Sequence, residues 1–146
     1  PVCSPAFRDR FGPFETIDDI AAAPLIHTDW GPAAATFPVW RNWFETYGAA
    51  YEDREVRGVM ANSSVMAVNL ALAGLGITLC QSLLAKQHLE SGLLVRACGK
   101  SLVQSQPYCL TTSQRSAHRQ LVSTLRDWLS KTCAENIALT LQPKKP

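Results

Sequence analysis

Residues 62–80 read NSSVMAVNLALAGLGITLC, and their reading decides the fold. The stretch opens on hydrogen-bonding residues, runs through an apolar segment, turns at Gly74-Leu75-Gly76 and ends in a short apolar run. This order predicts a helix followed by a buried strand. Asn62 or Ser63 caps the helix by accepting a bond from an unpaired backbone N–H. Gly74 ends it in the left-handed conformation that other residues avoid. Ile77, Leu79 and Cys80 suit a parallel strand covered on both faces. Val65, Met66, Val68, Leu70, Ala71 and Leu72 make the helix apolar nearly all round, so it is expected to be buried.

A helix start carries free N–H groups and the positive end of the macrodipole. With the hydroxyls of Ser63 and Ser64 beside it, this start is a seat for a carboxylate or similar small anion. The competing reading is that both serines only cap the helix. On these residues alone capping is favoured, because caps are common and ligand sites are few.

Outward from this stretch the chain alternates strands and helices. Val2-Cys3 reads as a strand end, and Ser4-Pro5 as a cap with proline at the first helical position. Thr16 caps a second short helix, with Asp18 and Asp19 in its first turn, and Pro24 stops it. Residues 25–28 read as a strand leading into an Asp29-Trp30-Gly31-Pro32 loop. The next helix is expected after Thr36 with Pro38 in its first turn. Trp40, Trp43, Phe44 and Tyr47 recur there at i, i+3, i+4 and i+7, an amphipathic stripe that reads as core. Trp30, in a loop at a strand end, is the better candidate to line a pocket, though it serves equally well as a cover for the core. Residues 54–60 read as a strand in which Gly58 allows close approach. Gly74-x-Gly76 is no dinucleotide fingerprint, because there the glycines lie between strand and helix and here the order is reversed. A helix over 82–89, strands over 93–95 and 107–112, a long helix over 117–135 and a frayed tail over 137–146 complete the chain.

Such alternation implies an α/β fold, a largely parallel sheet flanked by helices. Ligands of these sheets collect beyond the carboxyl ends of the strands. Both Ser63-Ser64 and the His27–Trp30 segment follow strands, so both are placed to reach one crevice.

The composition, 47% hydrophobic and 18% charged over 146 residues, is that of one globular domain with a real core. A net charge of +2 is too small to argue for a nucleic-acid surface. No apolar run is long enough to span a bilayer, and no signal peptide is visible. Five cysteines stand singly, an odd count without a C-x-x-C pair. They read as buried thiols of a reducing compartment, hence the cytoplasm. Three histidines show no metal-ligand spacing, so no metal and no cofactor are expected. Serine, histidine and aspartate are present, but no nucleophile elbow or triad context is, and no catalytic residue is assigned.

The chain resembles the sensor region of LysR-type transcriptional regulators. The matching pieces are Pro1–Phe7, Pro24–His27 with the Trp40/Trp43 helix, Asn62-Ser63-Ser64, and Ala73–Leu79. They continue with Leu84, Leu89–Val95, and Tyr108–Leu110 before the Leu125-Trp128-Leu129 helix. Order and spacing, rather than any single piece, carry the match. The tryptophan pattern looks most like the branch of glycine-cleavage and β-lactamase regulators. The resemblance implies a type II periplasmic-binding-protein-like fold with an effector in the cleft between two subdomains. Residues 1–106 correspond to the second subdomain, 107–136 to a returning strand and long helix of the first, and 137–146 to a flexible tail. It implies effector-binding roles for Ser64 and Tyr108, with Asn62 and Ser63 flanking and Thr28 and Trp30 bordering the cleft. With the resemblance in view, a ligand role for the two serines outweighs pure capping. The implied partners are a small-molecule effector (an amino acid, small carboxylate or cell-wall peptide) and a further copy of the chain. DNA is implied only through an N-terminal winged helix-turn-helix that these residues do not include. A solute-binding protein of similar fold is the alternative, and the unpaired cysteines weigh against its secreted setting.

Overall fold

The computed structural model describes residues 1–31, 37, 39–49, 58–104 and 109–141, with side chains to residue 134. The chain divides into two compact units, Pro1–Gln106 and Pro107–Pro146.

In the first unit the elements are β1 (Val2–Cys3), α1 (Pro5–Phe11), α2 (Ile17–Ala22), β2 (Leu25–Thr28) and α3 (Trp40–Thr46). They continue with β3 (Gly58–Ala61), α4 (Ser64–Leu72), β4 (Ile77–Thr78), α5 (Ser82–Glu90) and β5 (Val95–Arg96). The sheet order is β3-β2-β4-β1-β5. The β2 strand is parallel to both β3 and β4, whereas β1 runs antiparallel between β4 and β5. The expected α/β sheet flanked by helices is therefore present, and it is mixed: its parallel half is β3-β2-β4.

Two apolar layers hold it together. On one face Phe7, Ile20, Trp40, Trp43 and Phe44 of α1–α3 pack with Cys3, Leu25 and Ile77. On the other, Ala67, Val68 and Ala71 of α4 and Ala85 of α5 pack with Val2, Ile26 and Leu94. Odd and even positions of β2 thus face opposite layers, as strand alternation requires.

Local chemistry accounts for the helix ends. Ser4 caps α1, its Oγ accepting the Phe7 N–H at 3.3 Å, with Pro5 at the first position. Thr16 and Asp19 form a reciprocal capping box on α2. Ser63 caps α4 by accepting the Met66 N–H at 3.3 Å. Gly74 takes φ +76° just past the end of α4, as expected.

Several expectations are corrected. The α3 helix starts at Trp40 rather than after Thr36, with Asn42 Oδ1 accepting the Val39 N–H at its start. Pro38 and residues 54–57 lie outside the described residues. The α4 helix is not buried all round: Val65 is 63% and Met66 47% exposed. It lies in an outer layer, so the small residues Ala67, Val68 and Ala71 seal one side against the sheet while the other side stays open. The last strand of the sheet is Val95–Arg96 rather than residues 93–95, and Leu93 is exposed. Of the cysteines only Cys3 is fully buried; Cys80 and Cys98 are half-buried, and Cys109 and Cys133 exposed.

Among the described residues the second unit holds one helix, α6 (Gln120–Leu141). It overruns the expected tail, because no helix breaker follows until Pro143. Cys109–Thr112 form no strand, contrary to expectation. A strand needs a neighbouring ladder, and none is available to it among the described residues. Leu121, Leu125 and Trp128 on α6 are exposed.

Candidate functional site

The β2 and β3 strands pair in register, Leu25 with Gly58 through Thr28 with Ala61. The Asp29 N–H then donates to the Ala61 carbonyl at 2.8 Å, carrying the pairing one residue past β2. Residues 29–31 and 62–64 therefore leave the sheet side by side, at the carboxyl ends of parallel strands. Of the sequence-derived candidates, Thr28, Trp30, Asn62, Ser63 and Ser64 are brought to this one edge. Tyr108 lies outside the described residues.

The two serines differ. Ser63 is committed to the fold: its Oγ takes the Met66 N–H and its carbonyl takes the Ala67 N–H at 3.0 Å. Ser64 stands i−3, i−4 and i−7 from Ala67, Val68 and Ala71, all buried. It therefore heads the sheet-facing row of α4 as that row's one polar residue, and it is half-buried. Among the described residues nothing hydrogen-bonds its Oγ, and the N–H groups of Ser64 and Val65 also lack an acceptor. These are three donors at a helix start, where the dipole favours negative charge. Neither residues 28–31 nor residues 62–66 contain Lys or Arg, so the donors themselves supply the attraction for an anion.

Beside them, Trp30 stacks on Phe37 with ring centroids 4.4 Å apart and an interplanar angle of 17°. Asp29 Oδ1 accepts the Gly31 N–H at 2.8 Å, and Gly31 has φ +57°, so a tight turn orients Trp30. Trp40, by contrast, is core, its Nε1 donating to the Ile26 carbonyl at 3.0 Å.

Two further polar groups sit at this edge without partners. His27 Nε2 and Gln81 Oε1 are both buried and unpaired among the described residues. Gln81 carries no motif; only strand alternation counted outward from Ile77 would single it out. Burial holds the His27 ring below its ordinary pKa of 6.5. The unfolded chain therefore takes the proton first, so the stabilising term is complete above 6.5 and is lost as pH falls below it. Urea denaturation near pH 7.5 and near pH 5.5 is expected to show lower stability at the lower pH, and His27→Gln to narrow the difference.

Neither Cys3 nor Cys80 offers a nucleophile here. Burial pushes Cys3 and Cys80 up to about 11, leaving both protonated at neutral pH. Among the described residues no three His, Cys, Asp or Glu side chains are grouped to hold a metal ion.

Comparison with known proteins gives the family and the fold. The LysR substrate binding domain family matches residues 1–134. The glycine cleavage system transcriptional activator of Escherichia coli K12 is 26% identical over 136 residues, 92% of this chain and 42% of its own length. The chain thus spans less than half of that relative. The effector domain of the transcriptional regulator AmpR of Pseudomonas aeruginosa superposes with a TM-score of 0.73 at 20% identity, over 97% of this chain and 64% of that one. The AmpR effector binding domain of Citrobacter freundii superposes at 0.58 and 23% identity, over 86% of this chain and 62% of that one. The mixed sheet flanked by helices is thus the type II periplasmic-binding-like fold of these effector domains. The chain belongs to the LysR substrate-binding domain family.

Proposed function

We propose that this chain is the effector-sensing part of a LysR-type transcriptional regulator and binds a small carboxylate-bearing metabolite at the start of α4. The observation that carries the reading is the set of unpaired donors there, Ser64 Oγ with the Ser64 and Val65 N–H groups, at the carboxyl edge of a parallel β-pair. Asn62 and Ser63 shape the turn, Thr28 and Trp30 border it, and Tyr108 joins the assignment on family resemblance. The amino acid, small carboxylate or cell-wall peptide that occupies it shifts the protein between two forms through unequal affinity for them. That shift reaches DNA through a separate part of the regulator, in the cytoplasm and in an assembly of several copies. The protein performs no chemistry on its ligand. In keeping with this, the relatives compared are named as regulators.

The two serines separate stability from binding. Ser63→Ala removes a cap and is expected to cost about 1 kcal/mol of stability. Ser64→Ala removes a hydroxyl that supports nothing in the fold. It is expected to change stability by less than about 0.5 kcal/mol. It should weaken effector binding by roughly ten-fold, the scale of one hydrogen bond to a charged group. Chemical denaturation and calorimetry of the two variants test this. Equal stability losses with unchanged binding would return both serines to plain capping.

A further inference from the structure

We propose that His27 and Gln81 form an acceptor pair for the ammonium group of an amine-bearing effector. This rests on the effector-sensing reading and adds the chemistry of one ligand group to it.

The β2 and β4 strands are parallel neighbours, with Leu25 opposite Ile77 and Ile26 opposite Thr78. Leu25 and Ile77 face the α1–α3 layer, and Leu79 packs there too. Cys80 packs on the opposite layer, so the alternation of β4 continues past its last paired residue. Gln81 follows at φ −61° and ψ 136°, between the carboxyl end of β4 and the start of α5. His27 is the third residue of β2, one position past its last pairing with β4. Both residues therefore stand at the carboxyl ends of neighbouring parallel strands.

Each brings a buried polar atom with no partner among the described residues, Nε2 of His27 and Oε1 of Gln81. Buried polar atoms are nearly always paired, so two orphans at one edge of the sheet mark the place of a missing donor. A neutral imidazole with its proton on Nδ1 accepts at Nε2, and an amide oxygen accepts as well. What fits between two acceptors is a group with several N–H donors. Neither residues 25–31 nor residues 77–82 contain Lys or Arg, and Asp29 lies two positions past His27. An ammonium group meets all of these conditions, and a second carboxylate meets none.

The test is NMR of the isotope-labelled protein, following the His27 ring and the Gln81 side-chain amide. The probes are methylammonium, glycine and L-alanine, against acetate and propionate, which lack nitrogen. The expected result is saturable shifts of both side chains with the amines and none with the two acids. Gln81→Leu is expected to weaken amine binding ten-fold or more. Gln81→Glu keeps an acceptor and is expected to retain binding, which separates lost recognition from lost folding. The proposal is overturned if no amine gives a saturable shift, as for a site that holds only water, or if acetate shifts the pair equally. If acetate moves the Ser64 and Val65 amides while no amine moves His27 or Gln81, the effector reading stands and only the acceptor pair fails. If no probe moves either set, both fail.

Discussion

Gly58→Ala is expected to destabilise the first unit by roughly 3 kcal/mol or more, the sum of an overpacked contact and a strained backbone. A Cβ placed on Gly58 would collide with the Leu25 carbonyl oxygen and stand 2.7 Å from its carbon. These are backbone atoms of the paired strand, so no rotamer change relieves the clash. The backbone there also has φ +140°, which side-chain-bearing residues rarely adopt. Relief requires β3 to move off β2, the same pairing that sets residues 29–31 beside residues 62–64. Melting is expected roughly 10 °C lower, at a few degrees per kcal/mol for a domain of this size. Thermal denaturation followed by circular dichroism reads this directly. An unchanged midpoint would mean that β2 and β3 are not paired in this register.

Trp43→Ala is the second large effect, about 3–5 kcal/mol, the usual range for deleting a buried large aromatic side chain. Trp43 is fully buried and meets Trp40 edge-to-face at 5.6 Å and Phe44 edge-to-face at 5.0 Å. Tyr47 lies against it at 5.2 Å. Domains of ordinary size are stable by only about 5–15 kcal/mol, so the variant should be close to unfolded. The buried Nε1 of Trp43 has no hydrogen-bond partner among the described residues. Losing that N–H therefore recovers a desolvation cost, and Trp43→Phe should be much milder than Trp43→Ala. Urea denaturation of both variants tests the pair. Similar losses for the two would show that the indole N–H has an acceptor after all.

The legible parts of the fold were those with a local cause. Ser4, Thr16 and Ser63 cap helices because hydroxyls beside a helix start do so wherever they occur. The stripe from Trp40 to Phe44 reads as core because its period matches a helix with one face inward. Gly58 was legible as a point of close approach, and the Leu25 carbonyl is what comes close. The parts that sequence spacing misses depend on partners distant along the chain. Nothing local makes β1 antiparallel between β4 and β5. Residues 109–112 have the alternation of a strand yet form none, since alternation supplies a face and not a neighbour. The α4 helix misleads for a related reason: apolar residues on every side signal burial, yet only its alanine-rich side meets the sheet.

The candidate site divides the same way. Ser63 and Ser64 are visible as a helix start in the sequence, but their division of labour is not. It emerges from which oxygen the Met66 N–H reaches. His27 and Gln81 come to the same edge of the sheet only through the β2–β4 pairing, which no short motif encodes.

The most direct measurement is calorimetric titration of the full-length protein, wild type, Ser64→Ala and the double variant Ser64→Ala with Tyr108→Phe, with amino acids, small carboxylates and muropeptides. The predicted result is saturable binding of a carboxylate-bearing compound that Ser64→Ala weakens roughly ten-fold and Tyr108→Phe weakens further. A ligand that binds both variants as tightly as the wild type would contradict it.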